Sequence, residues 1–330
     1  MLKDPFALLV PIERQSLTSS HILPPDQHPA AVYLARLAPR SRKTMRQALE
    51  VIAEIVSGGV ANASTLSWNA LRYQHTAAIR AHLADRYASA TANKMLAALR
   101  GVLREAWRLG QLTAEDLQRA SDFMPVRGKT LSRGRILHSG EIATLMSVCA
   151  QDANPSGIRD AALLAVLYGA GIRRGEIVAL DLADYDQQKG LLFIRAGKGN
   201  CDRLAHMALG TIEALNDWLE LRGSEAGALF WPVLKGGKLQ ARRVSYQGVL
   251  HILQRRSKEA GLKAFSPHDL RRTFVSHLLD AGVDLSTVQR LAGHASVQTT
   301  VRYDLRGEEA QRRAVGLLHV PRFRGYQSKV

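Results

Sequence analysis

Four side chains toward the C-terminal end of the chain have the types and spacing of a phosphate-processing site. Arg271 follows His268 by three positions, His294 comes after Gly293, and Tyr303 comes nine positions after His294. A guanidinium stays charged at physiological pH, and its N–H fork matches two phosphate oxygens. A phenol has a pKa of about 10 and needs nearby cations to become a nucleophile. The set predicts Tyr303 as a nucleophile beside a cationic pocket.

The segment that carries His268 and Arg271 is predicted to form a helix over residues 268–280. Its apolar stripe consists of Leu270, Phe274, Val275, Leu278 and Leu279. At about 100° per residue, Arg271 falls in the middle of that stripe and His268 at its edge. The other faces carry Asp269, Arg272, Thr273, Ser276 and Asp280. A guanidinium on a core-facing side is unfavourable without an anion, so the pattern indicates an anion site in a cleft.

Arg173 and Lys198 extend the candidate site upstream. Arg173 can form a phosphate clamp with Arg271, or it can form an ordinary ion pair with Glu176 one helical turn later. Lys198 lies between glycines at the tip of a predicted hairpin, where a flexible ammonium can donate a proton, although a solvated turn lysine is the alternative. Glu176 is expected to orient rather than react. Arg174 and Arg272 are expected to contact solvent or backbone.

Two ordinary interpretations compete for the histidines. A single histidine on an apolar face is more often a hydrogen-bonded core residue than a reactive one. A metal site needs a third ligand, but His277 lies off the apolar stripe, and Cys149 and Cys201 lack the spacing of zinc ligands. The sequence therefore predicts no bound metal.

The run PHDLRRTFVSHLLDAGVDLSTVQRLAGHASVQTTVRYD resembles the C-terminal signature of the tyrosine recombinases, also called the phage-integrase family. Tyr168–Glu176 resembles the family's first arginine motif, and Gly197–Asn200 resembles the hairpin with its catalytic lysine. These motifs occur in the family's order over about residues 136–306. The resemblance implies six catalytic residues, which are Arg173, Lys198, His268, Arg271, His294 and the nucleophile Tyr303.

The resemblance also implies a reaction and its partners. Tyr303 would attack a DNA phosphodiester to give a 3′-phosphotyrosyl bond and a free 5′-hydroxyl, and a partner strand's 5′-hydroxyl would reverse the step. Neither a cofactor nor a metal is required by this chemistry. The substrate would be double-stranded DNA at specific core sites, bound by a homotetramer. The C-terminal tail, residues 307–330, could contact a neighbouring subunit or pack on its own domain.

Three biological readings remain open at this stage. The segment Tyr303–Gly307 differs from the Tyr-Thr-His continuation usual in the Xer recombinases, which favours integration or excision of a mobile element over dimer resolution. A type IB topoisomerase-like nicking-closing enzyme would use the same chemistry on one duplex. A catalytically silent DNA-binding protein is disfavoured because binding needs no phenol at that position.

The composition indicates a globular polyanion-binding protein. Lys and Arg number 45 against 29 Asp and Glu, a net charge of +16 in 330 residues, and 46% of the residues are hydrophobic. Such a surplus favours a phosphate backbone as partner, because neutralised phosphates release counterions. Two cysteines make no disulfide framework. No apolar run approaches the roughly 18 residues of a membrane span, so a cytoplasmic protein is expected.

The chain is predicted to be mainly α-helical, with two domains. Residues 1–28 are a loose arm, and residues 29–123 form a helical, SAM-like core-binding domain with helices near 69–86, 89–109 and after Thr113. Residues 124–135 are a basic linker that could strap across DNA or simply be solvated. Residues 136–330 form an α-rich catalytic domain with one β-hairpin between 190 and 208.

Overall fold

The computed structural model describes residues 17, 23–128, 134–195, 202–294, 296–301 and 315–316. Lys198, Cys201, Tyr303 and all of the tail except Val315 and Gly316 lie outside these residues. The described chain is mainly α-helical with one small sheet, which confirms the predicted fold class. Two compact units divide it, Met1–Arg133 and Gly134–Val330. No described helix is both long and apolar enough to cross a lipid bilayer.

The first unit is a bundle of helices. Its elements are α1 (Pro29–Ala35), α2 (Pro39–Ser57), a 3-10 turn (Trp68–Ala70), α3 (Tyr73–Arg86), α4 (Ser89–Arg108) and α5 (Ala114–Ser121). Gly58 ends α2 at a φ of 66°, a left-handed conformation that glycine adopts without strain. Thr113 begins α5 by accepting a hydrogen bond from the Asp116 backbone N–H. The predicted helix over 69–86 is shorter, because the 3-10 turn interrupts it before Tyr73.

The described parts of the arm and of the linker are attached to their own units. Leu17 is buried in the core of the first unit, and its carbonyl accepts a hydrogen bond from the Ser67 backbone N–H. Asn93 on α4 exchanges two hydrogen bonds with the backbone of Val126, at 2.7 and 3.0 Å. In the second unit, the Arg135 backbone N–H donates to Asp269 Oδ1 at 3.1 Å. The described ends of segment 124–135 are therefore hydrogen-bonded, whereas the limits of the functional domains remain a prediction.

The second unit combines helices with a three-stranded antiparallel sheet in the order β1-β2-β3. Its elements are α6 (Ser139–Gln151), α7 (Pro155–Gly169), α8 (Arg174–Ala179), a 3-10 turn (Leu182–Asp184), β1 (Tyr185–Asp186), β2 (Leu191–Ile194), β3 (Arg203–His206), α9 (Leu209–Arg222), α10 (Tyr246–Glu259), α11 (Pro267–Asp280), α12 (Leu285–Ala292) and α13 (Val297–Val301). Strands β2 and β3 confirm the predicted hairpin, in which Ile194 pairs with Arg203. Strand β1 extends it beyond the prediction.

A buried carboxylate holds α7 against α10. Asp160 is fully buried and forms ion pairs with Arg159 at 2.6 Å, Arg255 at 2.5 Å and Arg256 at 2.8 Å. Arg256 is itself 2% exposed and also reaches Asp152 at 2.5 Å. Charges buried in this way are stable only while each keeps its partners, since desolvation is otherwise uncompensated. The network fixes α7, and α7 leads into the turn before Arg173.

Cys149 lies beside this network on α6. It is a free, buried cysteine, and burial raises the pKa of its thiol to about 12. A thiol of that pKa carries almost no thiolate at neutral pH and is a poor nucleophile. Cys149 is therefore a packing residue.

Replacing Asp160 by Asn should destabilise the second unit strongly. The substitution keeps the side-chain shape but leaves buried arginines without their shared counter-charge, which costs about 3 kcal/mol of unfolding free energy. Chemical denaturation followed by circular dichroism measures the loss. Lys189→Ala, which removes an exposed partner of Asp186 in the same unit, is the control and should change little. An Asp160→Asn variant as stable as the wild type would contradict this role.

Candidate active site

The first turn of α11 presents His268 and Arg271 from a fixed cap. Ser266 is the N-cap and Pro267 follows it, where its missing N–H is no loss. Asp269 Oδ2 accepts from the Ser266 N–H at 2.9 Å and from Ser266 Oγ at 2.8 Å, which completes a capping box. The helix start is therefore rigidly defined, and the residues that follow it are held in position.

Helix α11 is more deeply buried than a single apolar stripe predicts. Asp269, Arg272, Thr273 and Ser276, which the helical pattern puts on other faces, are all buried. Asp269 accepts from the Arg135 backbone N–H at 3.1 Å, and Arg272 Nη1 lies 4.0 Å from Asp269 Oδ1. Arg272 is buried rather than exposed to solvent, because the chain before α6 crosses and covers this polar side of the helix; the alternative expectation, a contact with the backbone, stays a prediction.

Arg271 is buried, as its place in the apolar stripe predicts. Its side chain is 2% exposed, and Nη1 donates to the carbonyl of Gly171 at 2.6 Å. Nη2 donates to the carbonyl of Ala292, the last residue of α12. Backbone carbonyls orient the guanidinium without cancelling its charge, so Arg271 stays a full cation inside the unit.

Arg173 forms the ion pair with Glu176 that the sequence allowed, and its role in a phosphate clamp stays a prediction. It is the N-cap of α8, and its Nη1 donates to Glu176 Oε1 at 2.7 Å, as an ordinary ion pair would. Its Nη2 donates to the carbonyl of Gly293 at 2.7 Å. Ala292 and Gly293 are adjacent, so consecutive carbonyls of one turn hold Arg271 and Arg173. The structure brings the two predicted arginines together.

Glu176 is the carboxylate that balances part of this charge. It is buried and accepts hydrogen bonds from the Arg173 backbone N–H at 2.8 Å and from Arg203 Nη2 at 2.9 Å. Burial raises the pKa of Glu176, but the hydrogen bonds and charges of Arg173 and Arg203 outweigh it and lower the pKa below its usual range. Glu176 is thus an ionised orienting residue, as predicted.

Arg174 turns away from this group and packs on an aromatic ring. Its guanidinium carbon lies 3.5 Å from the centroid of Tyr246. Arg174 is partly exposed, and it makes this cation–π contact at the start of α10 in addition to its expected contact with solvent.

His294 follows the same turn and is neutral at physiological pH. It is buried, and its Nδ1 lies 2.8 Å from Thr300 Oγ1 on α13. Burial first, and then the positive charges of Arg271 and Arg173, lower the pKa of His294 to about 4. An imidazole with that pKa can donate a hydrogen bond to an anion without adding charge to the pocket.

His268 stands at the exposed rim of the group. Partial desolvation, followed by the positive charges of Arg272 and Arg271, lowers the pKa of His268 below its usual value. A neutral imidazole can accept a proton, which is the property required of a base. His268, Arg271, Arg173 and His294 therefore form one electrostatic group, while Lys198 and Tyr303 remain predictions outside the described residues.

Arg203 belongs to this group and was missed from the sequence. It begins β3, and its guanidinium reaches Glu176 as described above. The signal was present in the strand alternation, because Arg203 shares a face with the buried Ala205 and pairs with the buried Ile194. An arginine at an inward-facing strand position indicates an anion site, as Arg271 does in an apolar helix stripe.

No three His, Cys, Asp or Glu side chains in the described ranges group closely enough to hold a metal ion. The prediction of metal-free chemistry is not tested by that finding and stays a prediction.

The lowered pKa of His294 predicts a pH effect on stability. As the pH falls below the unfolded pKa of about 6.5, His294 becomes protonated in the unfolded chain but stays neutral in the folded chain. The free energy of unfolding therefore falls as the pH drops toward 4. His294→Gln removes this contribution, and its loss of unfolding free energy between pH 7 and 4.5 should be smaller by roughly 2 kcal/mol. Denaturation curves across that range measure the difference. His251→Gln, at an exposed position, should keep the wild-type slope; an identical slope in His294→Gln would contradict the burial of a neutral imidazole.

Comparison with known proteins identifies the second unit. The model described as the phage integrase family matches residues 135–307, more than half of the 330-residue chain. A protein of Natranaerobius thermophilus named tyrosine recombinase XerC is 32% identical over 249 residues, covering 72% of this chain and 79% of the relative. A Corynebacterium efficiens protein of the same name is 37% identical over 172 residues, 51% of this chain. The chain spans about half of that relative's length, 53%.

A solved structure of an integrase has a fold similar to that of this chain. A structure of the Tn1549 transposon integrase in complex with transposon right end DNA superposes with a TM-score of 0.68, covering 88% of this chain and 99% of that chain at 14% identity. At that identity the likeness establishes the fold alone. Together with the family match over residues 135–307 and the N. thermophilus relative, it leads to one conclusion: this chain belongs to the phage integrase family of tyrosine recombinases.

Proposed function

We propose that this chain is a site-specific DNA recombinase that cleaves and rejoins strands through a 3′-phosphotyrosyl intermediate. The observation that carries the proposal is the turn at Ala292–Gly293, whose consecutive carbonyls hold Arg271 and Arg173 side by side. Two fixed guanidiniums at one point are suited to the non-bridging oxygens of a single phosphate. Tyr303 follows this turn by ten positions in the sequence.

The charge of the group supports phosphoryl transfer. Arg173, Arg203 and Arg271 contribute three positive charges, Glu176 contributes one negative charge, and the pKa of His294 keeps that imidazole neutral at physiological pH. The surplus suits a phosphodiester, and it suits still better the extra negative charge of its pentavalent transition state. The arginines can thus stabilise the negative charge of the transition state, as metal ions do in other phosphoryl-transfer enzymes.

Each remaining residue has a chemical task in the proposal. The cations favour the Tyr303 phenolate, and His268, with its lowered pKa, accepts the phenol proton. His294 donates a hydrogen bond to the phosphate. Lys198 protonates the leaving 5′-oxygen. The bond between phosphorus and the 5′-oxygen breaks as the bond to the Tyr303 oxygen forms, and the reverse step with a partner 5′-hydroxyl rejoins the strands.

Double-stranded DNA is the proposed partner. The net charge of +16 favours a phosphate backbone. The relatives are named tyrosine recombinases, and the structural relative holds transposon end DNA, which supports the same substrate class here. We favour a mobile element as the target because of the Tyr303–Gly307 segment, with dimer resolution as the alternative given the XerC relatives. A DNA substrate also implies a cytoplasmic location.

Tyr303→Phe should abolish cleavage and leave DNA binding intact, because only the nucleophilic oxygen is lost. Purified protein is mixed with a library of nicked duplexes from DNA that flanks its gene, and covalent adducts are resolved on a denaturing gel with EDTA present. The wild type should give an adduct and Tyr303→Phe none, with equal retardation of the same DNA on a native gel. Tyr246→Phe, at an exposed tyrosine of the same unit, is the matched control and should still react.

An adduct that persists in Tyr303→Phe would overturn the assignment of the nucleophile. Tight DNA binding without any adduct in the wild type would instead favour the catalytically silent alternative.

We further propose that the active form is a homotetramer joined by the C-terminal tail. Helices α6, α7 and α9 enclose an apolar cavity of about 280 Å³, lined among others by Ile142, Leu145, Met146 and Leu164. The tail residue Val315 is 65% exposed and precedes Leu317 and Leu318 in the sequence. Apolar tail residues of one copy and an apolar cavity of the next are complementary, as in helix-in-groove recognition.

Leu317→Glu with Leu318→Glu should separate assembly from chemistry. A carboxylate in an apolar cavity is strongly unfavourable, so the variant should lose recombination of a two-site plasmid while it still forms the adduct on one nicked duplex. Ile142→Lys in the cavity should behave in the same way. Loss of single-duplex cleavage in both variants would mean that the tail packs on its own subunit. Supercoil relaxation without recombination in the wild type would favour the nicking-closing alternative.

A further inference from the structure

Arg203 carries donors that nothing in the described chain satisfies. Its side chain is 15% exposed and its Nη2 donates to Glu176 Oε2 at 2.9 Å. Its Nε and Nη1 are buried and have no hydrogen-bond partner in the described part of the chain. An unsatisfied buried donor carries an uncompensated desolvation cost, and such groups are rare in native structures. An acceptor from outside the described chain would remove that cost.

The position of the guanidinium says what kind of acceptor fits. Gly293 has a φ of 61°, and a Cβ built there would collide with the Nε and Cδ of Arg203. The guanidinium therefore packs directly on the turn whose carbonyls hold Arg173 and Arg271. Its charge is also felt by His294, whose pKa it helps to lower. Arg203 thus approaches the proposed phosphate position from the sheet side.

The ion pair with Glu176 does not complete the charge balance. Glu176 is shared between Arg173 and Arg203, so one carboxylate faces two guanidiniums. An ion pair as the sole purpose of Arg203 would leave Nε and Nη1 unexplained. An anion at the turn supplies an acceptor for one of these donors and a further negative charge.

We infer that Arg203 is a third phosphate-binding residue, whose guanidinium donates a hydrogen bond to a non-bridging oxygen of the scissile phosphate beside Arg173 and Arg271. The inference rests on the proposed function.

The test compares an ordinary scissile phosphate with an uncharged one. Arg203→Met keeps the aliphatic stem and removes the charge and the donors. The first substrate is a nicked duplex with the DNA sequence recovered from the covalent adduct described above. The second is the same duplex with a methylphosphonate at the scissile position. On phosphate, release of the 5′-hydroxyl strand should slow by about 10²-fold, the usual effect of removing one transition-state donor. On methylphosphonate, the ratio of wild type to variant should fall to about 10 or less, because less charge needs compensation.

The comparison is insensitive to a general loss of folded protein, since the same preparation meets both substrates. Arg203→Lys should recover part of the phosphate activity, because it restores charge without the fork. Arg195→Met is the matched control, as Arg195 lies on the same hairpin and pairs with Asp184. It should match the wild type on both substrates.

The outcomes separate the inference from the function beneath it. An equal loss on phosphate and methylphosphonate, or no loss on either, overturns the phosphate contact and leaves Arg203 as a partner of Glu176 only. A wild type that forms no Tyr303-dependent adduct on any duplex overturns the proposed function itself. A selective loss on phosphate supports both.

Discussion

The second unit must hold three guanidiniums close to one carboxylate, that of Glu176, and the rest of its structure depends on this constraint. The solution is a single turn between α12 and α13. Its carbonyls at Ala292 and Gly293 accept from Arg271 and Arg173, and its Cα at Gly293 supports Arg203. Carbonyl dipoles orient guanidiniums and ease their desolvation but leave the positive charge undiminished. The guanidiniums of Arg173, Arg203 and Arg271 are therefore held at this turn before any ligand arrives.

The same constraint explains two glycines. Gly171 and Gly293 both have left-handed backbones, at φ values of 58° and 61°, and each offers a carbonyl to one of the arginines. A Cβ at Gly171 would meet the Phe274 ring, and one at Gly293 would meet Arg203. Backbone conformation and close approach both require glycine here. In the turn before Arg173 and in the Gly-His pair alike, a left-handed glycine thus offers its carbonyl to an arginine.

Sequence reasoning succeeded where a periodic pattern meets one exceptional residue. Arg271 stood out because a charge interrupted an apolar helix stripe, and the hairpin followed from two short apolar strands around a glycine turn. The start of a helix after Thr113 is predictable for the same local reason. Each of these signals depends on residues within a few positions of one another.

What the sequence could not supply was contact between distant segments. Helix α11 is buried on its polar faces because residues 134–137 cross it, a fact that no helical wheel contains. Arg173 was posed as either a clamp or an ion pair, although one guanidinium has enough N–H groups for both. Arg203 escaped notice because its alternation runs over only four residues of β3. The role of Arg203 depends on its contact with the Gly293 turn, which joins segments that are distant in the sequence.

The buried network around Asp160 has a consequence for handling the molecule. Mobile ions screen exposed charges within about a Debye length, whereas pairs sealed from solvent are screened far less. Contacts with a DNA backbone weaken steeply as salt rises, because they depend on counterion release. Ionic strength should therefore act on the surface and spare the interior. Concentrated salt can strip bound nucleic acid from the protein during purification while the helices around Asp160 stay folded.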